Sequence, residues 1–583
     1  MAVTPATTTL TPGDTVRLTA TAKDSAGHPL TDRAISWSSS DTNVVIVDST
    51  GLVTARAQGT VTITAAAEEH TGKATLTVNA TPVAQVVVSP SSGMVILGNA
   101  LQLAATVIDA RGDTLTDRPI TWASSDTTIA TVDSAGFVTP HFADTVTITA
   151  TAGGQSGTFA LRVVLRFAQL DDGSNRPSAS LHTCGMTTTG AVYCWGQNAS
   201  GVLGDGTTTN RSAPVATPGA PTFAHLVAGN DYACALDPSG RTYCWGANSY
   251  GQLGDGMFAP HAVPEAAAGN LSFIKLFAGE SYVCALTSGG AAYCWGRNTR
   301  FETGAGTGAT VSTPTAVAGN PTLGTAAFED LTLGGETSCG LTASGAAYCW
   351  GDGMHGQLGN GVAAIYQFQV PVAGHYTFSQ LSTSGQHSCG VTTSGSAYCW
   401  GWNNHGQLGI GATADSALTP ALVAGNHTFA RVIAAQGFTC GLTPAGAAYC
   451  WGNNSSGQLG NGTIGGSSRV PVAVAGGLTF SSLDMFSSDS LHSHVCGLTT
   501  SGVAYCWGDN QHGQLGDGTT TTRGAPAAAS GDLTFVQLQV GFERACGLTS
   551  AHIAYCWGGN SDGQLGDGTN TDRYTPTPVA TQQ

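Results

Sequence analysis

The sequence predicts an all-β protein built as two tandem β-sandwiches followed by a β-propeller. Three observations carry this. Cys-x9-Cys followed at once by Trp-Gly occurs eight times between Cys184 and Cys556, with successive units starting 50 to 56 residues apart. A fixed period of this length marks a repeat architecture of small sheets. Ahead of these units, two cysteine-free segments match each other at a constant offset of 85 residues and alternate apolar with polar side chains. Finally, only 10% of residues are charged while 80 are glycine, the composition of a turn-dense β chain.

The domains expected are 1–80 and 81–165 for the sandwiches and 166–583 for the propeller, so the 583 residues suffice for three cores. Leu30 to Thr42 reads LTDRAISWSSSDT and Leu115 to Thr127 reads LTDRPITWASSDT. Val16, Leu18, Ala20 and Ala22, then Ile35 and Trp37, then Val61 and Ile63 fall on single strand faces. Leu101, Leu103, Ala105 and Val107, Ile120 and Trp122, and Val146 and Ile148 repeat them. Period-two alternation of this kind makes half-buried strands, with Trp37 and Trp122 as core anchors.

The repeat unit explains itself locally. Residues 389–400 place two short runs around Thr-Ser-Gly, where Gly395 can supply the positive φ of a tight hairpin. Folding there brings residues ten apart opposite each other, within disulfide reach. The expected pairs are Cys184 with Cys194, Cys234 with Cys244, Cys284 with Cys294, Cys339 with Cys349, Cys389 with Cys399, Cys440 with Cys450, Cys496 with Cys506, and Cys546 with Cys556. Each bridge closes a loop of about ten residues, worth roughly 2–3 kcal/mol. The spacing is not that of a zinc site. Reduced cysteines serving as small core residues are the alternative, but an even count at one spacing favours disulfides. An oxidising location follows: extracellular, cell surface or periplasmic. Asn stands three places after Trp in seven of the eight units, a position read as a turn former tolerant of left-handed backbone.

The units resemble the regulator of chromosome condensation repeat. The matching strings include Gly-Gln-His-Ser-Cys-Gly-Val-Thr at 385–392, Ala-Tyr-Cys-Trp-Gly at 397–401, and Gly-Gln-Leu-Gly at 406–409, the last recurring at 251–254, 356–359, 457–460, 513–516 and 563–566. The resemblance implies four-stranded blades in a ring closed by strands from both ends of the propeller, with Tyr574 to Ala580 completing the blade begun near Leu165. Family members usually carry seven blades; eight units here imply seven or eight, with the third unit, Arg297 to Gly304, the most irregular. The two N-terminal modules resemble bacterial immunoglobulin-like group 2 domains of surface proteins. The resemblance makes the sandwiches immunoglobulin-like.

The net charge of −16 and the lack of a basic run argue against nucleic-acid binding. No apolar stretch reaches spanning length, so no membrane insertion is expected. The chain opens on Met-Ala-Val-Thr-Pro without a visible leader, as a mature secreted chain would. No cofactor or metal motif is present, and the nucleophile-elbow, zincin and P-loop signatures are absent.

Function is expected where the repeat breaks. Two places before each first cysteine stand His182, Tyr232, Tyr282, Thr337, His387, Phe438, His494 and Arg544. One place earlier come Leu181, Asp231, Ser281, Glu336, Gln386, Gly437, Ser493 and Glu543. Equivalent positions form a ring, and Asp231, Tyr232, Tyr282, Glu336, His387, Phe438, His494, Glu543 and Arg544 are the binding candidates for one propeller rim. Packing between blades is the alternative for the aromatic and His members. The expected function is recognition of a protein or extracellular glycan. The competing reading is a secreted polysaccharide-cleaving enzyme using Glu280, Glu336, Glu543 and Asp231 with His182, His387 or His494. Some family members exchange nucleotide on small GTPases, an intracellular activity at odds with disulfides. Secreted propellers of similar fold include β-lactamase inhibitors, which implies that tight protein binding is possible.

Overall fold

A computed structural model describes residues 1–172, 181–319, 321, 324–487 and 492–582. The chain divides into two compact units, Met1–Val163 and Val164–Gln583. In the first unit each sequence copy builds small, mostly antiparallel sheets around its own core. One copy joins Thr7–Leu10, His70–Val78, Gly59–Ala67 and Ser36–Ser39 in one sheet, with Thr7–Leu10 running parallel to its neighbour. Its core gathers Leu18, Val45, Val53, Val61, Ile63 and Leu76, with Trp37 packed against it. The other copy repeats this with Leu103, Val138, Ile148 and Phe159, and with Trp122 in the place of Trp37.

The second unit is a ring of eight four-stranded sheets, each an antiparallel meander. Blade 1 comprises Phe167–Asp171, His182–Thr187, Val192–Gly196 and Arg211–Ala216. Blades 2 to 8 follow over 225–266, 275–316, 330–371, 378–422, 431–473, 480–528 and 537–578. Innermost strands of successive blades lie side by side, and blade 8 returns to blade 1. Of the seven or eight blades expected, eight form.

Closure differs from the expectation. Arg573–Pro578 pairs with Ala554–Gly558 in its own sheet and completes no earlier blade. Blade 1 draws all four strands from consecutive chain, so no strand is exchanged. The ends meet through backbone bonds instead: Leu165 N–H to Thr581 O at 2.9 Å and Phe167 N–H to His552 O at 2.9 Å.

All eight expected disulfides form. Cys184 bonds to Cys194, Cys234 to Cys244, Cys284 to Cys294 and Cys339 to Cys349. Cys389 bonds to Cys399, Cys440 to Cys450, Cys496 to Cys506 and Cys546 to Cys556. Each pair lies directly opposite on the second and third strands of its blade, as Cys389 does to Cys399, with Cα atoms 4.1 Å apart. No free cysteine remains among the described residues, so the reduced-core alternative does not apply.

The tryptophan after each pair is fully buried and locks neighbouring blades. Trp400 Nε1 donates to Gln357 O of the preceding blade at 2.9 Å, and Trp195 Nε1 donates to Gln564 O across the ring closure at 3.0 Å. The turn asparagines work otherwise than expected. None takes a left-handed backbone. Each is buried and organises its loop by side chain: Asn510 Oδ1 accepts from Leu515 N–H at 3.0 Å while Nδ2 donates to Thr519 O and Thr521 O at 3.1 Å.

Candidate functional site

Folding puts the loops between inner and second strands and those between third and outer strands on one face of each meander. Backbone bonds tie the two sets together: Ala247 N–H donates to Asp231 O and Gly559 N–H to Glu543 O, both at 2.8 Å. The opposite face carries the hairpin turns between second and third strands. Seven of these end in a glycine of positive φ, as Gly395 does at 85°; the eighth places His552 there at 62°.

The ring of residues two before each cysteine exists, but it is internal. His182, Tyr232, Tyr282, Thr337, His387, Phe438, His494 and Arg544 are all at most 1% exposed. Each lies at the start of a second strand, or one residue into it for His494, opposite the glycine that follows the tryptophan, as His387 lies opposite Gly401. Those eight glycines have φ between 99° and 110°. A Cβ on Gly401 would lie 2.7 Å from Gln386 O. The strand pair is therefore tight, and the facing side chain turns toward the next blade.

There it makes a latch. The single Tyr232 Oη proton is shared between Gly279 O at 2.8 Å and Tyr282 O at 2.7 Å; Tyr282 Oη in turn donates to Gly334 O at 3.0 Å. Thr439, whose hydroxyl donates to Gln407 O, accepts from His387 Nε2 at 2.7 Å. His494 Nε2 donates to Arg544 O at 3.2 Å, and Arg544 Nη2 reaches His182 O at 2.6 Å and the Asp172 carboxylate at 3.4 Å. Phe438 fills the same place by packing among Met485, Val495 and Trp507 of blade 7. Burial drives the histidines down, His182 and His387 to about 3 and His494 to about 4, with the Arg544 charge adding to the effect at His182 and His494. Tyr232, Tyr282, His387, Phe438, His494 and Arg544 are thus corrected from rim to interblade core. Diverse side chains recur there because most solve one geometric problem; Thr337, the smallest, instead donates to Asp352 O within its own blade at 2.9 Å.

The acidic members do reach the surface. Asp231 is exposed, the Glu336 side chain is 41% exposed, and Glu543 is 20% exposed. They stand apart, and basic groups accompany the two glutamates and Glu280. Arg297 bridges Glu280 and Glu302, both at 2.9 Å, and Arg300 lies 3.9 Å from Glu336. His512 sits 3.4 Å from both Glu543 and Asp572. Burial raises Glu543 above the usual carboxylate range, opposed by the nearby histidines. The carboxylates of the hydrolase reading are not gathered with His182, His387 or His494, which lie inside. Among the described residues, no group of three or more His, Cys, Asp or Glu side chains is arranged to hold a metal ion.

The position two after each tryptophan, which the sequence reading passed over, is the most varied on this face: Gln197, Ala247, Arg297, Asp352, Trp402, Asn453, Asp509 and Gly559. In blades 4 and 5, His355 stacks on Trp402 with ring centroids 4.6 Å apart and planes within 6°. Met354 beside it is 52% exposed, and Tyr250 on blade 2 is 38% exposed. Aligning the eight units on their tryptophans would have revealed these positions.

Comparison with known families now bears on the whole chain. The family model for the RCC1-like domain matches residues 177–439, and models for the regulator of chromosome condensation (RCC1) repeat match 445–489, 492–514 and 553–583. The bacterial Ig-like domain (group 2) matches 1–78 and 82–163. The propeller belongs to the RCC1 repeat family, behind two group 2 bacterial Ig-like domains. Ice-binding protein 1 of Shewanella frigidimarina is 31% identical over 237 residues, 40% of this chain and 25% of that protein. Human E3 ubiquitin-protein ligase HERC2 is 28% identical over 196 residues, 33% of this chain and 4% of that one. The matches therefore span a quarter or less of these curated relatives. Among solved structures, Prp20p from Saccharomyces cerevisiae is similar at TM-score 0.49 and 20% identity, covering 60% of this chain and 90% of its own. Human WBSCR16 gives 0.49 and 18%, covering 60% and 96%.

Proposed function

We propose that the protein is an extracellular or cell-surface recognition protein. Its propeller presents the face bearing Tyr250, Met354, His355 and Trp402 to a protein or glycan partner, and the Ig-like domains serve as its stalk. One observation carries this: the loop tips of that face bring Tyr250 and Met354 to the surface and hold His355 stacked on Trp402 with ring centroids 4.6 Å apart. A scaffold with identical blades needs no aromatic side chains at loop tips. Aromatic groups that are rigid, half-buried and amphipathic are what recognition surfaces use. Eight disulfides and the interblade latches hold these loops in place before any partner arrives, which lowers the ordering cost of binding. The disulfides also support an oxidising location.

The test uses the full chain immobilised against envelope proteins and a panel of soluble polysaccharides. The triple variant carrying Tyr250→Ala, His355→Ala and Trp402→Ala should lose the captured partner, whereas Ser394→Ala and Ser501→Ala on the opposite turns should keep it. Loss that follows the opposite turns alone would overturn the assignment of the face. A polysaccharide that is shortened, not merely retained, would favour the hydrolase reading.

A further inference from the structure

The inner strands of the eight blades surround a cavity of about 460 Å³ on the ring axis. Each inner strand exposes one edge to it, and unpaired backbone there must be satisfied. The sequence solves this with side chains that reach to the next blade. Gln169 Nε2 donates to Leu226 O at 2.7 Å, and Gln537 Nε2 donates to Leu170 O at 3.0 Å. Gln380 does both jobs, donating to Val432 O at 2.9 Å and accepting from Val432 N–H at 3.0 Å. Two residues further along, Thr332 accepts from Thr383 N–H at 3.2 Å, Ser382 from Ala434 N–H at 3.0 Å, and Asp484 from Val540 N–H at 2.9 Å.

Most of the polar lining is therefore structural, and the departures stand out. Blades 2, 3 and 6 carry Val227, Phe277 and Ile433 where the others have hydroxyl, amide or carboxylate groups. At the position two residues earlier, Lys275 and Asp330 of blades 3 and 4 pair with each other at 3.4 Å. Blades 2 and 6, which face each other across an eight-membered ring, carry His225 and Arg431 there. His225 Nδ1 is buried without a hydrogen-bond partner. The Arg431 guanidinium makes no hydrogen bond among the described residues. Blade 7 caps its neighbour with a carboxylate, Asp484, although a hydroxyl suffices in blades 4 and 5. Asp171 of blade 1 lines the cavity at the same level.

We infer that the axial cavity binds a small zwitterion, its carboxylate on Arg431 and its ammonium between Asp484 and Asp171, at the level that Val227, Phe277 and Ile433 leave apolar on blades 2, 3 and 6. The size suits a small ligand, since such pockets run about 300–1,000 Å³. The two charged levels are two residues apart along a strand, roughly 6.7 Å, which sets a spacer of about five methylenes. Burial and the negative charge of Asp172 push Asp484 up to about 7, and a bound ammonium relieves that strain. The charged groups that act on Asp484 are Asp172 of blade 1, itself beside Arg544 of blade 8, and Arg431 of blade 6, while His182 and His494 stay neutral. This site is independent of the partner-binding face.

The test is calorimetry on the full chain with 6-aminohexanoate, hexylamine and hexanoate at millimolar concentration. The zwitterion should bind at least tenfold more tightly than either single-charge analogue, and its affinity should rise with pH through about 7. Arg431→Gln and Asp484→Asn should each weaken it at least tenfold, and Asp484→Asn should abolish the pH dependence; an asparagine oxygen still accepts from Val540 N–H. Absence of binding by the zwitterion to the wild-type chain would overturn the inference. Equal binding of hexylamine would also overturn it, leaving a simple cation site without a role for Arg431.

Discussion

Removing one disulfide tests both the hairpin account of the blade and the location argued from it. In the double variant Cys389→Ala with Cys399→Ala, the lost bridge joins residues ten apart in sequence and directly paired across the hairpin, both fully buried. Chain entropy gives about 2.1 + 1.5R ln n with n near ten, roughly 9 cal/mol/K or about 2.7 kcal/mol at 25 °C. Removing two buried sulfurs, so that each β-carbon becomes a methyl group, adds about 1 kcal/mol for the space left behind. A total loss of about 3–4 kcal/mol is expected, read by urea unfolding of the full chain. Because blades 1 and 5 lie across the ring and share no side chains, the same change at Cys184 and Cys194 should add to the first within about 0.5 kcal/mol. A loss below about 0.5 kcal/mol would refute the reasoning, since it would mean that the unfolded hairpin is already closed without the bond. The disulfides would then contribute little to the preorganised face, and their number would need another explanation.

Gly390→Ala should cost only about 1–2 kcal/mol although its Cβ would lie 2.6 Å from Phe378. Blades 2 and 3 already carry Ala235 and Ala285 there, and their Phe–Trp centroids stand at 6.2 Å against 5.9 Å for Phe378 and Trp400; a fall in stability above about 4 kcal/mol would show that blade 5 cannot make the same shift. Stability should also fall as pH drops from about 6.5 toward 4. In that window the unfolded chain protonates His182, His387 and His494, which the folded chain keeps neutral down to about 3, 3 and 4. Asp484 acts the other way, binding its proton in the fold up to about 7 and so favouring acid. Burial raises Asp231, Glu302, Asp509 and Glu543 too, and these oppose the histidines in the same direction as Asp484. His387→Gln should therefore lower the slope by the share of one proton, about 1.3 kcal/mol per pH unit at mid-window, in stabilities measured across it; an unchanged slope would place the acid response elsewhere.

The architecture was legible because repetition reports geometry. Cys-x9-Cys, the following tryptophan and the hairpin glycine recur at fixed offsets, and each offset maps onto one strand pairing. The ring closure was not legible, because which strand pairs with Tyr574 depends on backbone bonds such as Leu165 to Thr581, made by residues with no distinctive side chains. The internal ring was misplaced for a different reason. His, Tyr, Phe and Arg at one position look like divergence toward ligands. Their common task, reaching the next blade from opposite a glycine, shows only when the cross-strand partner is known. The turn asparagines were assigned the correct place with the wrong physics, since a buried amide that closes a loop by its side chain and one that relaxes a left-handed backbone leave the same letter.

These cases suggest how function should be separated from scaffold in a repeat ring. Variation alone does not discriminate: the residue two before the cysteine varies as widely as the residue two after the tryptophan, yet only the second brings a side chain such as Trp402 part-way into solvent. What discriminates is whether the position has a structural task in every blade. In the latch ring, Tyr232, His387 and Arg544 each bond to the next blade, so the variation is synonymous. On the inner strands, Gln169, Gln380 and Gln537 share a task that Arg431 does not perform and that His225 leaves with a buried nitrogen unpaired. At the loop tips, Trp402 and Met354 have no counterpart task in blades 1 or 8, where Gln197 and Gly559 occupy the position of Trp402. A residue released from the scaffold's requirements, yet more costly to expose or bury than the one it replaces, is retained for something outside the scaffold. By that criterion the loop-tip aromatics and the axial Arg431 are the two places where this ring does more than hold itself closed.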